Sequence, residues 1–159
     1  MSPPVIAGPA PPWSVSRWLN AATPPSLAGL RGRPIALHAF QMRCPGCLAH
    51  GLPQAQRLVR LFAGSDLVVF GLHTVFENHT AQSEAALAAF VAERGLAFPI
   101  GIDTHDDPAG VPLTMARYGM QGTPTLVLID RAGQVRRHTF GRADDMPVGA
   151  DVARLLLES

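Results

Sequence analysis

Apolar residues come in two kinds of run along this chain: short continuous stretches, and positions recurring at helical spacing. Ile35-Ala36-Leu37-His38-Ala39-Phe40 is of the first kind and reads as a core strand. Leu48, Leu52, Ala55, Leu58, Val59 and Phe62 then mark one helix face at three- and four-residue steps. Pro53 lies inside that pattern and is expected to kink the helix, which Gly64-Ser65-Asp66 ends. Residues 67–72 form a second continuous apolar run, the signature of a buried parallel strand. A second helix is predicted over roughly 81–94, with Leu87, Phe90 and Val91 on one face and Gly95 as its stop. Residues 98–102 read as a strand with Pro99 at its start. A polar loop spans 103–112, and a short helix is predicted at 113–118. Residues 125–130, the turn Arg131-Ala132-Gly133 and residues 134–140 make a hairpin. A closing helix is predicted at 148–157.

Strand–helix–strand–helix–strand–hairpin–helix is an α/β order, and it predicts a three-layer domain around a mixed sheet. The first strand is preceded by a turn-rich lead-in at 27–34, and the chain opens on five prolines within residues 1–12. That stretch is expected to be an extended, weakly ordered arm. Trp13 and Trp18, the first large apolar groups after it, are placed to anchor it on a domain spanning 13–159.

Composition changes the picture little. A chain of 159 residues with 47% apolar and 16% charged residues fits one globular domain, not a disordered segment. A formal net charge of +1 gives no reason to expect a nucleic-acid partner. No apolar run is long enough for a membrane span. The first nine residues lack a basic n-region and carry prolines through any apolar stretch, so they make a poor secretory signal and the chain reads as cytoplasmic.

Cysteine usage changes it more. The only two cysteines sit together in Cys44-Pro45-Gly46-Cys47. That spacing lets two sulfurs close a small disulfide ring or bind one metal. In a reducing compartment such a pair is redox-active or metal-binding before it is a structural staple. A structural zinc site wants four ligands, and no second cysteine pair exists. The strand before the motif and the helix after it favour redox chemistry. Cys44, at a helix start with Arg43 beside it, would meet the positive end of the helix dipole, which favours thiolate. It is then the attacking thiol, and Cys47, one turn on, the resolving one.

With Gly122-Thr123-Pro124-Thr125 entering an apolar strand and hairpin, the chain resembles the thioredoxin superfamily. It is most similar to its TlpA- and ResA-type thiol–disulfide proteins, called redoxins in some classifications. The likeness covers roughly residues 26–157 and implies a thioredoxin-like three-layer α/β/α sandwich with a central mixed sheet. It also implies a thiol–disulfide oxidoreductase without a cofactor, acting on a protein or small-molecule disulfide and fed by an electron donor the sequence does not identify. By the same resemblance Pro124 is a cis proline facing the cysteines and keeping metal from them. Thr123, Arg43, Pro45 and Gly46 would line the substrate side. Arg43 stands where most relatives have Trp, and a cationic rim of that kind favours an acidic or anionic thiol partner. His38 takes the place of the acidic residue of thioredoxins and is a candidate acceptor for the Cys47 proton, beside the plainer reading of a hydrogen-bonded core histidine. Glu77 lies near the position of a functional glutamate of ResA-type proteins and is a second acid/base candidate; otherwise it is a solvated loop residue.

Other readings are weaker. His73, Glu77 and His79 match no helical metal-binding spacing. A peroxidase of the Pro-x-x-x-Thr/Ser-x-x-Cys kind is disfavoured: Gln41 and Leu37 precede Cys44 at those steps, and Cys44 and Phe40 precede Cys47. A redox-sensing module on the same fold, changing state once without turnover, stays open beside the exchange enzyme.

Overall fold

The computed structural model describes residues 8–159. Among the described residues thirteen regular segments follow one another, and the strands form one sheet. They are β1 (Gly8–Pro9), β2 (Val15–Leu19), β3 (Ile35–Phe40), a π-helical turn (Cys47–Gly51) running into α1 (Leu52–Leu61), β4 (Val68–His73), a 3-10 turn (His79–Gln82), α2 (Glu84–Arg94), β5 (Ile100–Asp103), α3 (Leu113–Arg117), β6 (Thr125–Ile129), β7 (Gln134–Phe140) and α4 (Asp145–Leu157).

The sheet order is β1-β7-β6-β3-β4-β5-β2. β3 runs parallel to β4 and antiparallel to β6, and β4 runs parallel to β5. β3 is wholly buried, as its apolar run, interrupted only by His38, demands of a strand covered on both faces. Alternation along β3 divides the core in two. Ala36 and Phe40 face α1, α2 and α4 through Leu52, Leu58, Leu87, Val91 and Val152. Ile35, Leu37 and Ala39 face Met115 and Tyr118 of the α3 region, with Trp13, Trp18 and Leu27 packed over them. This is the expected three-layer sandwich with a mixed central sheet.

The Pro53 kink takes a specific form. Pro53 has no N–H to give the preceding turn, and that turn widens: Leu52 N–H bonds to the Cys47 carbonyl, a π-type step just before the proline. Val59, predicted on the apolar face, is 36% exposed, while Gln54 on the same helix is buried. Gln54 Nε2 donates to Ala143 O at 2.7 Å and to Asp145 Oδ1 at 3.1 Å, joining α1 to the start of α4.

At the N-terminal end, Trp13 and Trp18 pack on Phe70 with ring centroids 4.8 and 5.3 Å away. Of the predicted arm, residues 1–7 lie outside the described residues. Residues 8–12 are held more firmly than a weakly ordered arm. Gly8 and Pro9 pair with Val135 and Gln134 of β7. The carbonyls of Pro11 and Pro12 accept from Tyr118 Oη at 2.6 Å and Arg117 Nη1 at 3.0 Å.

Candidate active site

The site forms where β3 and β6 lie side by side. β3 runs into the loop 41–44 and the cysteines, and β6 begins immediately after Pro124. Their register pairs Ala39 with Thr125, so two segments about eighty residues apart meet at one end of the sheet. Helical backbone starts at Pro45, which puts Cys44 at the helix N-terminus, as predicted.

The two thiols are unequal. Cys44 is half-buried and Cys47 fully buried, and no disulfide joins them. Cys47 N–H donates to Cys44 Sγ at 3.2 Å, one of the free amides of the helix start. Cys44 Sγ–H in turn donates to the Thr123 carbonyl at 3.4 Å. Burial pushes the Cys47 thiol up to about 12, with its hydrogen bond to Cys44 adding to the shift.

The Thr123–Pro124 bond is cis, as the resemblance implied. The proline ring lies against the cysteine helix because two positions there have no side chain. A Cβ on Gly46 would stand 3.1 Å from Pro124 Cδ, and one on Gly51 would stand 3.0 Å from Pro124 Cβ. Gly46 was expected at the substrate side; Gly51 was not singled out by sequence.

His38 is buried on β3, on the same face as Ala36 and Phe40 and so on the side of Cys47 and α1. Burial pushes its imidazole down to about 4. Its Nε2 has no hydrogen-bond partner. The ring borders a cavity of about 10 Å³ together with His50, Gly51 and Pro124, room for about one water molecule. Arg43 and Pro45 are exposed beside Cys44, and among the described residues Arg43 forms no ion pair. Glu77 sits in an exposed loop, and among the described residues its carboxylate makes no hydrogen bond; its backbone carbonyl accepts from Gln82 Nε2 at 2.9 Å. The structure thus brings together Cys44, Cys47, Thr123, Pro124 and Gly46, sets His38 on the same side of the sheet, and leaves the Glu77 carboxylate in solvent. Among the described residues no three His, Cys, Asp or Glu side chains converge as metal ligands.

Sequence reading missed Gln41 and Gln82. Both are buried. Gln41 Nε2 donates to Thr123 Oγ1 at 3.4 Å, and its Oε1 accepts from Phe76 N–H at 3.3 Å and from Gln82 Nε2 at 3.1 Å. The one available signal was a glutamine between the strand 35–40 and the cysteines.

No family model matches the chain, and no curated protein does. Solved structures do. A crystal structure of a thioredoxin-like superfamily protein is 46% identical over 96% of this chain and 99% of its own, with a TM-score of 0.92. A thiol-disulfide isomerase from Corynebacterium glutamicum is 39% identical over 94% of this chain and 98% of its own, at 0.88. A thioredoxin-like protein solved in its oxidized form shares the fold at 20% identity and 0.77, with 96% of this chain and 97% of that one covered. The chain belongs to the thioredoxin-like superfamily.

Proposed function

We propose that this protein is a thiol–disulfide oxidoreductase in which Cys44 attacks a substrate disulfide and Cys47 resolves the intermediate. The observation that carries the reading is the difference in access: Cys44 is half-buried and Cys47 fully buried. A bulky disulfide can reach only Cys44. The thiolate of Cys44 attacks one substrate sulfur, the substrate S–S bond breaks, and the departing thiolate takes up a proton. Cys47 then loses its proton and attacks Cys44 Sγ of the mixed disulfide. A Cys44–Cys47 disulfide forms, the second substrate thiol leaves, and the protein has given up two electrons. A dithiol donor must return them.

The Cys47 proton is the difficult one, because that thiol is pushed up to about 12 mainly by burial. His38, on the Cys47 side of the sheet, is one candidate acceptor. Its Nε2 has no hydrogen-bond partner, while the burial that holds its imidazole down to about 4 works against taking up the proton. Glu77 is the alternative acceptor, reached only if its loop turns inward. Thr123, Pro124, Pro45 and Gly46 form the surface that meets substrate, and the unpaired Arg43 favours a client that is acidic around its disulfide. The thiol-disulfide isomerase among the similar structures supports a protein or small disulfide as substrate. Two cysteines and no structural disulfide suit a reducing cytoplasm, where the protein would run as a reductase.

An insulin-reduction assay with a dithiol donor tests this. Cys44→Ser is expected to abolish turnover. Cys47→Ser is expected to react once and hold the substrate as a mixed disulfide visible by mass spectrometry. Full activity in Cys44→Ser sinks the mechanism, and single oxidation without turnover in the wild type would make the chain a sensor. Glu77→Gln and His38→Ala assign the acceptor: the one that carries the proton slows release of the mixed disulfide by about 10²-fold or more.

A further inference from the structure

Two buried glutamines close a circuit behind Cys44. Gln82 Oε1 accepts from Met42 N–H at 2.9 Å, and its Nε2 donates to the Glu77 carbonyl at 2.9 Å and to Gln41 Oε1 at 3.1 Å. His73, pushed down to about 4 by burial and so neutral, reaches Gln82 Oε1 at 3.3 Å in the tautomer with its proton on Nε2. Backbone groups fix both amide orientations: Met42 and Phe76 N–H can only donate, and the Glu77 carbonyl can only accept.

The circuit joins three segments: the loop leading to Cys44, the loop ending in Pro124, and residues 74–82, which close on the 3-10 turn His79–Gln82. Its outer end is Thr123, whose hydroxyl accepts from Gln41 and whose carbonyl lies on Cys44 Sγ. Buried amides are costly unless satisfied, and apolar residues would fill this space more cheaply. The segment they hold contains Asn78 at φ 52°, in the left-handed region that few residues adopt. Other bonds hold only the start of that segment: Thr74 N–H donates to the Phe40 carbonyl at 3.1 Å, Thr74 Oγ1 donates to Asp103 at 3.0 Å, and the Val75 carbonyl meets His105 Nε2 at 2.7 Å.

We propose that Gln41 and Gln82 are positioning residues that clamp segment 74–82 as one wall of the substrate site. The role rests on the reading of Cys44 as the attacking thiol. A loosened wall weakens docking of a large disulfide client without changing how Cys44 reacts once the client is bound.

The test uses Gln82→Met and Gln41→Met, which keep volume and remove the hydrogen bonds. Each variant's reactive thiol content is titrated first with Ellman's reagent. For a protein disulfide, KM is expected to rise about tenfold in either variant while kcat per reactive thiol stays within about twofold. The double variant is expected to match the worse single one, because the two amides act as a unit. A merely structural role lowers the reactive fraction and leaves KM alone, and that outcome overturns the proposal, as do effects that multiply in the double variant. If the variants do not fold, amide exchange on the wild type decides: Met42 and Phe76 N–H are expected to exchange far more slowly than Glu77, and equal rates overturn the clamp. An inactive wild type refutes the exchange reading by itself, whereas the amide-exchange result bears on the clamp alone.

Discussion

Gly51 and Gly46 decide how close Pro124 can come to the cysteine helix. At Gly51 two effects oppose each other. Replacing a helical glycine by alanine stabilises by about 1 kcal/mol. The new methyl would stand 3.0 Å from Pro124 Cβ, inside normal contact, and a proline ring flanked by β6 has little freedom to retreat. Overpacking of this kind costs about 1–3 kcal/mol, so the clash should win. Gly51→Ala is expected to lower stability by about 1 kcal/mol and to slow insulin reduction as Pro124 shifts. Urea unfolding and the reductase assay check this, and a variant more stable than wild type would show that Pro124 yields freely. Residues of this kind mark the limit of sequence reading. Cys44 and Cys47 were legible because their spacing is itself chemistry, and Pro124 because a motif carried it. Gly51, Gln41 and Gln82 acquire meaning only from what lies across a fold-dependent gap.

Elements were legible where their signal was local. β3 matches its predicted span because its apolar run has turn-formers in front and no helical period. β2 went unpredicted: Val-Ser-Arg-Trp-Leu is an edge strand, half exposed, and its pairing with β5 is a tertiary fact. α4 begins at Asp145, ahead of the predicted 148, because Pro147 falls in a first turn, where no intrahelical N–H is required. The end of β5 supplies a remote cap. Asp103 is buried, and its carboxylate accepts from the backbone N–H of Thr114 and Met115 at 2.9 and 3.0 Å and from Thr74 Oγ1 at 3.0 Å. Those amides belong to the first turn of α3, where orphan donors need acceptors. Asp103→Ala would strand three buried donors, at about 1–3 kcal/mol for each group left unsatisfied. Partial relaxation should hold the total to about 3 kcal/mol, read as a fall in the urea midpoint with unchanged slope. A loss under about 0.5 kcal/mol, the size of an ordinary surface change, would mean that α3 caps itself.

At the scale of the whole molecule, two central strands each bury a histidine on one face of the sheet. His38 lies on β3 and His73 on β4, and burial pushes both imidazoles down to about 4 from an ordinary 6.5. Such groups make stability depend on pH. The unfolded chain takes up a proton at each imidazole as pH falls below about 6.5, while the folded chain refuses it until about 4. Between those values the unfolded state binds more protons, so stability falls as pH falls; above them both states are neutral and the contribution is complete. The span amounts to about 3 kcal/mol for each histidine. Against a total of about 5–15 kcal/mol for a domain, losing both would remove a large part of the fold's margin in mild acid. The exchange site shares the exposure, since His73 touches Gln82 and His38 borders the Pro124 cavity. Urea midpoints are therefore expected to drop steadily from pH 7 to pH 4.5, and His38→Leu and His73→Phe should each flatten that slope by about half. A slope that survives both substitutions unchanged would assign the acid sensitivity to carboxylates instead. Nuclear magnetic resonance titration of the two imidazoles in the folded protein gives the direct reading: neither ring should protonate before the chain unfolds.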